Sequence, residues 1–454
     1  MQSDNQVLEV IVGLLWGDEA KAKVLKERAE RAKRRNPGKR TVVARFNGCD
    51  NAGHTNMIIN RIGRPVKFPA HMTTGGLVTN SDMAIGPDVG FNPISFLSEL
   101  DLAKKSIDYE GRILISERAG VLFNYHREID RMREKDGGGV GTTIKGNGPV
   151  YEDNARRTTR LTFADYLSAR FPERLREVLE LKKSELVEAG LNLDTLFESI
   201  CAEHIEPRER LKGTASQLEY ELRNYLDRGD NILLEGAQGN GLDVSLGDLP
   251  NVTSSHVLAP HGLASLALPR ERFKIIGIEK IYATRVGKGD MPTYATDDFA
   301  DVGDQSGEVG VTSGRKRRVG YPDWVMAKRG VMLNDCDAVI ITRADCVQDR
   351  EIKTCIAYRV NGIVTTHVPM SLKGVEPVYS GSRYRWSLWP GERNLADPVA
   401  VDKALKQVRE DYVRKGFEGL PGSVKEFRKA HDEFVGCKSI GISIGPASGE
   451  TVYF

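Results

Sequence analysis

The residues best suited to chemistry lie near the start of the chain. Trp16-Gly17-Asp18-Glu19-Ala20-Lys21-Ala22-Lys23 stands where the apolar run 7–15 gives way to a helical pattern, and Asn51-Ala52-Gly53-His54-Thr55 follows about thirty residues later. α/β proteins place phosphates and metal-bound carboxylates at such strand-to-helix junctions, because backbone N–H groups and the helix dipole face the ligand there. A strand-end aspartate, two lysines and a glycine-histidine pair suit phosphoryl transfer. Asp18 could coordinate Mg²⁺, accept a proton from a substrate held over the sheet edge, or simply cap the helix that follows. Lys21 and Lys23 could meet phosphate oxygens or remain solvated, since the spacing is not that of a Gly-x-x-x-x-Gly-Lys-Ser/Thr loop. Gly53 lets the backbone approach a ligand closely, and His54 could donate to charge developing on a transferring phosphoryl group.

Three later stretches add candidates. Residues 141–149, Gly-Thr-Thr-Ile-Lys-Gly-Asn-Gly-Pro, mix hydroxyls with backbone donors as a nucleotide phosphate requires, although a plain surface loop would read the same way. Gly314-Arg315-Lys316-Arg317-Arg318, flanked by Thr312, Ser313 and Gly320, puts four cations on a glycine-bounded segment able to fork onto carboxylate or phosphate, or to stay a solvated charge run. Thr342-Arg343-Ala344-Asp345 follows another apolar run. A carboxylate there could accept from guanine N1–H and the 2-amino group together, or end in a salt bridge.

Positioning these groups requires a sheet. Short apolar, β-branched runs at 7–13, 41–46, 232–235, 275–283, 338–342 and 438–443 alternate with helical segments, the pattern of buried, mostly parallel strands. Leu175, Val178, Leu179 and Leu186 share one helical face, and Leu218, Leu222, Tyr225 and Leu226 another, so a helical excursion is expected at about 160–228 within one domain spanning 1–454. Two runs, 355–360 and 363–367, flank Asn361-Gly362, which predicts a late antiparallel hairpin. The charged run 26–35 reads as a solvated helix with Glu27–Arg31 and Glu30–Arg34 pairs rather than a nucleic-acid patch.

Composition narrows the partners without naming one. The 454 residues hold 65 basic and 63 acidic side chains, a net charge of +2, so nothing draws the whole chain to nucleic acid or a membrane. Six cysteines without CxxC spacing suggest reduced thiols in a cytoplasmic protein, and no apolar run reaches the roughly 18 residues of a membrane span.

Taken in order, the Trp16, Asn51 and Gly141 motifs, Glu235-Gly236-Ala237-Gln238-Gly239, Val252-Thr253-Ser254-Ser255, Thr284-Arg285-Val286-Gly287, the arginine segment, Lys373-Gly374-Val375-Glu376-Pro377 and Gly445-Pro446 resemble the adenylosuccinate synthetases across almost the whole chain. The resemblance implies that family's fold, a large mixed, mostly parallel sheet flanked by helices and related to P-loop proteins. It also implies a GTP- and Mg²⁺-dependent ligase joining L-aspartate to C6 of IMP through a 6-phosphoryl intermediate. In that reading Asp18, His54 and Gln238 are catalytic, and Asn51, Thr143, Arg156, Gln238 and Thr253 hold IMP. Ser313, Arg315 and Arg317 hold aspartate. GTP is held by Lys21, Lys23, Gly53, Thr55, Arg343, Asp345, Ser443, Gly445 and Pro446; Mg²⁺ touches Asp18 and the carbonyl of Gly53. Arg156 reaches the site of the other subunit of a homodimer.

The chain departs from the family pattern at Ala20 and Ala22, where glycines are usual. If either position takes positive φ, alanine costs about 1 kcal/mol of backbone strain; if helical, it is harmless. Cys49-Asp50, Asn147, Arg343 and the stretch 68–74 also differ. A relative acting on (d)GMP, or a non-catalytic nucleotide-binding paralogue, are the alternatives. Asp18 favours IMP over dGMP, and Asp345 favours GTP over ATP.

Overall fold

A computed structural model describes residues 5–60, 62–135, 139, 141–309, 314, 316–385, 388 and 398–454. Among them ten strands build the central sheet. They are β1 (Leu8–Gly13), β2 (Thr41–Arg45), β3 (Asp82–Ile85), β4 (Ile113–Ser116), β5 (Ala215–Ser216), β6 (Asn231–Gly239), β7 (Lys274–Lys280), β8 (Ala338–Thr342), β9 (Ser439–Ser443) and β10 (Thr451–Tyr453). Their spatial order is β10-β9-β8-β7-β1-β6-β2-β3-β4-β5. Every neighbouring pair is parallel except β9 and β10.

The β-branched runs form these strands because both sheet faces are covered. Val24, Leu25, Ala29 and Ala32 of helix α1 (Lys21–Arg35) pack with Val43, Leu233 and Ile276 on one face, while Val10 and Val12 meet Tyr225, Leu226 and Leu263 on the other. Each valine, leucine or isoleucine among them contributes roughly 1.5–3 kcal/mol on burial. The charged run on α1 is not the wholly solvated face expected. Arg28 is buried and its Nε donates to Glu9 of β1 at 2.8 Å, and Glu27, instead of pairing with Arg31, accepts from Gly449 N and Tyr453 Oη. Those positions face inward because α1 lies against both β1 and the C-terminal strands.

The two apolar stripes bury as expected, but Leu186 falls on a separate short helix, Lys183–Glu188, because the chain breaks at Lys182. The ammonium of Lys182 is buried against Asp153 at 2.7 Å. Cys355–Val360 and Ile363–Thr365 form the hairpin, with Asn361 and Gly362 at φ 49° and 80° as a type I′ turn demands. Further helices include α2 (Asn124–Lys135), α3 (Asn147–Arg156) and α4 (Gly422–Val435).

Strand order reverses around β1. The chain leaves β1 and returns as β2 beyond β6, and leaves β6 to return as β7 beyond β1, which opens a crevice at the carboxyl edge of the sheet. The Asp18, Gln238, Arg343 and Ser443 segments all emerge at that edge.

Candidate active site

The loop after β1 is shaped by its own side chains. Gly17 has φ +117°, and a Cβ there would lie 3.0 Å from the Gln238 backbone, so only glycine fits. Buried Glu19 accepts from Leu15 N at 3.2 Å and Gly17 N at 2.7 Å, and pairs with Lys21 at 2.9 Å. The Lys21 ammonium also donates to the Gly17 carbonyl. Ala20 caps α1 at φ 62°, ψ 32° with no side-chain cap, so Asp18 is not the helix cap. Of the two alanines, Ala20 is therefore the strained one, while Ala22 sits harmlessly inside the helix.

Asp18 instead faces a buried ionic cluster. Its Oδ2 lies 2.7 Å from Arg317 Nε, off the line a hydrogen bond requires, and Arg317 Nη1 donates to Glu308 at 2.5 Å. Glu308 also accepts from Lys280 at 2.9 Å and from the Tyr282 hydroxyl at 2.6 Å. Burial would raise the Glu308 carboxyl, but Lys280, Arg317, Tyr282 and Arg343 together hold it down at about 2. A permanently ionised Glu308 thus anchors the one arginine of the expected aspartate set that lies within the described residues; Ser313 and Arg315 lie outside them. Arg343, expected at guanine, sits at φ 59° and donates to the Ser306 carbonyl at 3.0 Å, with Nη1 3.7 Å from Glu308. Two residues on, Asp345 keeps one buried carboxylate oxygen without a hydrogen-bond partner, an acceptor available to a ligand.

Gln238, expected at IMP, lies against Gly17, the neighbour of Asp18. Gln238 has φ 60° at the end of β6, and its Oε1 accepts from Asn47 Nδ2 at 3.4 Å; Asn47 in turn accepts from Ala237 N at 2.9 Å. The segment carrying Thr143 is held to α2, where Asp130 accepts from Thr142 Oγ1 at 3.0 Å and Gly146 N at 2.9 Å. Asn147 donates to Thr253 Oγ1 at 3.2 Å, joining the two hydroxyl-bearing loops. Asn51 accepts from Cys49 N at 3.0 Å, and Arg156 ends α3 exposed. Asp50, of the Cys49-Asp50 pair that differs from the family pattern, is a buried tie that accepts from Asn92, Ser95 and Arg127.

Gly53 precedes the strand His54–Ile59, and Thr55 is exposed; the side chain of His54 lies outside what the structure describes. Lys23, expected at the GTP phosphates, bonds within the protein in this structure. Its Nζ donates to Ser443 Oγ and to the Gly445 carbonyl, both at 2.6 Å. Pro446 follows, exposed. Asn47, Glu308 and Asp130 were not singled out in the sequence. Asn47 could have been, since it follows a strand end as Asp18 and Asp345 do. Glu308 and Asp130 carry no local signal.

Hard oxygen donors, the Asp18 carboxylate and the Gly53 carbonyl, suit Mg²⁺ held mainly by phosphates. Among the described residues no group of three His, Cys, Asp or Glu forms an all-protein cage.

A parallel sheet whose carboxyl edge carries an anion-ready loop, a buried ionic cluster and an unpaired strand-end carboxylate defines a nucleotide-using α/β enzyme. The adenylosuccinate synthetase family profile matches residues 10–388. The chain is 34% identical over 459 residues to the adenylosuccinate synthetase of Caldanaerobacter subterraneus subsp. tengcongensis, covering 98% of each, and 34% identical over 454 residues to that of Lactococcus lactis subsp. cremoris, covering 97% of each. In fold it matches the adenylosuccinate synthetase of Plasmodium falciparum with a TM-score of 0.80 at 22% identity, over 98% of this chain and 99% of that one. A succinoaminodeoxyadenylate synthetase of cyanophage S-2L is more distant, with a TM-score of 0.58 at 17% identity over 99% and 95% of the two chains. The chain belongs to the adenylosuccinate synthetase family.

Proposed function

We propose that this GTP-dependent ligase joins L-aspartate to C6 of IMP, with Asp18 as the base that starts the reaction. The N1 proton of IMP passes to the Asp18 carboxylate, the electron pair moves to O6, and O6 attacks the γ-phosphorus of GTP as GDP departs. His54 donates to the charge spread over the transferring group. The aspartate amine then adds at C6 and expels phosphate, a far better leaving group than hydroxide. Mg²⁺, held by Asp18 and the Gly53 carbonyl, would neutralise charge on the donor phosphates.

The observation that carries this reading is the Asp18–Arg317–Glu308 chain. With IMP present, Asp18 trades a poorly aligned arginine for the purine N1–H, and Arg317, still anchored by Glu308, turns its free edge to the carboxylates of aspartate alongside Ser313 and Arg315. Gln238, Asn51, Thr143 and Thr253 would fix the purine and its phosphate. Lys21, released from Gly17, would meet GTP phosphates near Gly53 and Thr55, and Asp345 would read guanine with Arg343, Ser443, Gly445 and Pro446. Arg156, exposed at the end of α3, would complete the site of a second subunit, making a homodimer the working form. The six free cysteines fit a cytoplasmic setting, and no described helix is long and apolar enough to cross a membrane.

A carboxylate beside the purine leaves little room for a 2-amino group, so IMP is preferred over dGMP. Offering IMP, GMP, dGMP and XMP in turn with GTP and aspartate, and weighing the products, tests this directly. A succinylated product from IMP is expected; GDP release without a succinylated nucleotide would contradict the assignment.

A further inference from the structure

Helix α1 does more than begin at the phosphate loop. Two of its side chains, one turn apart, seize the segment that follows β9. Lys23 donates to Ser443 Oγ and Gly445 O at 2.6 Å each and lies 3.4 Å from the Glu450 carbonyl, while Glu27 accepts from Gly449 N at 2.9 Å and from Tyr453 Oη at 2.8 Å. The two partners are themselves 3.8 Å apart, with only 11% and 5% of their side chains exposed. Within the segment, Ile444 N donates to Glu450 O at 2.9 Å and Ala447 N to Glu450 Oε2 at 2.7 Å, so residues 444–450 form a closed turn gripped by α1 at both flanks. Burial pulls the Lys23 ammonium below the usual lysine range, opposed by Glu27, Asp345 and Glu450. Strand β9, which ends at Ser443, packs against the short helical turn Ala344–Val347 that carries Asp345 and its unpaired carboxylate oxygen.

A buried lysine whose donors are spent on one hydroxyl and backbone carbonyls has little left for a phosphate, and a surface loop of this kind would hold no single shape without such ties. We propose that Lys23 and Glu27 are positioning residues for donor-base specificity, holding the 443–450 turn in the shape that presents Ser443, Gly445 and Pro446 to a purine base opposite Asp345. The helix whose first turn faces the donor phosphates thereby also sets how its base is read. The inference rests on the placement of the guanine site given above.

Steady-state kinetics of Lys23→Met, Glu27→Gln and Asp345→Asn with GTP and with ATP, together with inhibition by inorganic tripolyphosphate, separate the possibilities. Lys23→Met and Glu27→Gln are expected to raise KM for GTP more than they lower kcat and to shrink the GTP-over-ATP ratio of kcat/KM by about tenfold, the worth of one charge-assisted hydrogen bond, with tripolyphosphate inhibition unchanged. Weakened tripolyphosphate inhibition with an unaltered GTP-over-ATP ratio would make Lys23 a phosphate ligand and overturn the proposal. Should Asp345→Asn leave the ratio unaltered, the guanine site itself is misplaced and the proposal falls with it; an effect of Asp345→Asn without any from the α1 variants overturns the clamp alone. Glu27→Gln is nearly isosteric, so it carries the test even where Lys23→Met fails to fold.

Discussion

At the scale of the residue, two positions decide how the opening loop works. Ala20 is held at φ 62°, a region an L-residue enters at a cost of roughly 1–2 kcal/mol. Ala20→Gly should therefore stabilise the protein by about 1 kcal/mol, read as a rise in the denaturant midpoint; no rise would mean the loop relaxes around alanine without strain. Asp18 has the opposite character, with a carboxylate that contributes one poorly aligned ion pair to the resting fold. Asp18→Asn should leave stability nearly intact and lower kcat by about 10²–10⁴, the range general-base removal costs. The motif around both residues was plain in the sequence, but their conformations were not. Whether a glycine-to-alanine change is harmless depends on φ, and φ at Ala20 is imposed by Glu19 gathering the N–H groups of Leu15 and Gly17, a tertiary constraint without periodicity.

At the scale of the element, the parallel strands were legible because burial on both faces demands β-branched runs, and the hairpin because Asn361-Gly362 suits positive φ twice. What escaped was the support behind the loops. Glu308 is an isolated carboxylate in a short loop, yet it fixes Lys280 at the end of β7, Tyr282, and Arg317 ahead of β8. Nothing in the local pattern reports a partner 28 residues away. Glu308→Gln should destabilise by about 3–5 kcal/mol, since it leaves Lys280 buried and uncompensated, and should raise KM for aspartate through a loosened Arg317. Its acid linkage follows in sign: a carboxyl depressed to about 2 contributes stability above its unfolded value and loses it as pH falls toward 2, so Glu308→Gln should also flatten the acid limb of the stability curve. The arginine segment read as four mobile cations is, in its described part, largely committed: Lys316 to Asp304, Arg317 to Glu308, Arg318 to the Gly287 carbonyl.

At the scale of the whole molecule, several motifs that carried the family resemblance prove to be struts. Arg285 is buried, pairs with Asp248 at 2.8 Å and lies 5.4 Å from the Trp16 ring, and Asp248 accepts from Leu372 N, binding the 373–377 stretch to the opening loop. At the opposite end of the chain, His431 of α4 is fully buried between Glu279 and Asp432; burial would lower its pKa, but the two carboxylates raise it to about 9. A raised histidine stabilises fully below its unfolded value near 6.5 and loses that contribution as pH climbs through 9. Urea midpoints should therefore fall between pH 6.5 and 9, and His431→Gln should remove that slope. Subunit cooperation is testable at the same scale. Asp18→Asn and Arg156→Leu proteins, each inactive alone, should regain up to about a quarter of full activity when mixed, because only hybrid dimers hold one complete site; no recovery would mean Arg156 serves its own subunit or none.

In the proposed reaction O6 of the purine is phosphorylated before the aspartate amine adds at C6. IMP labelled with ¹⁸O at position 6, turned over with GTP and aspartate, should deliver its label to inorganic phosphate in step with succinylated product, and the Asp18→Asn enzyme should deliver almost none. Label appearing in water while the phosphate stays unlabelled would contradict the proposed chemistry.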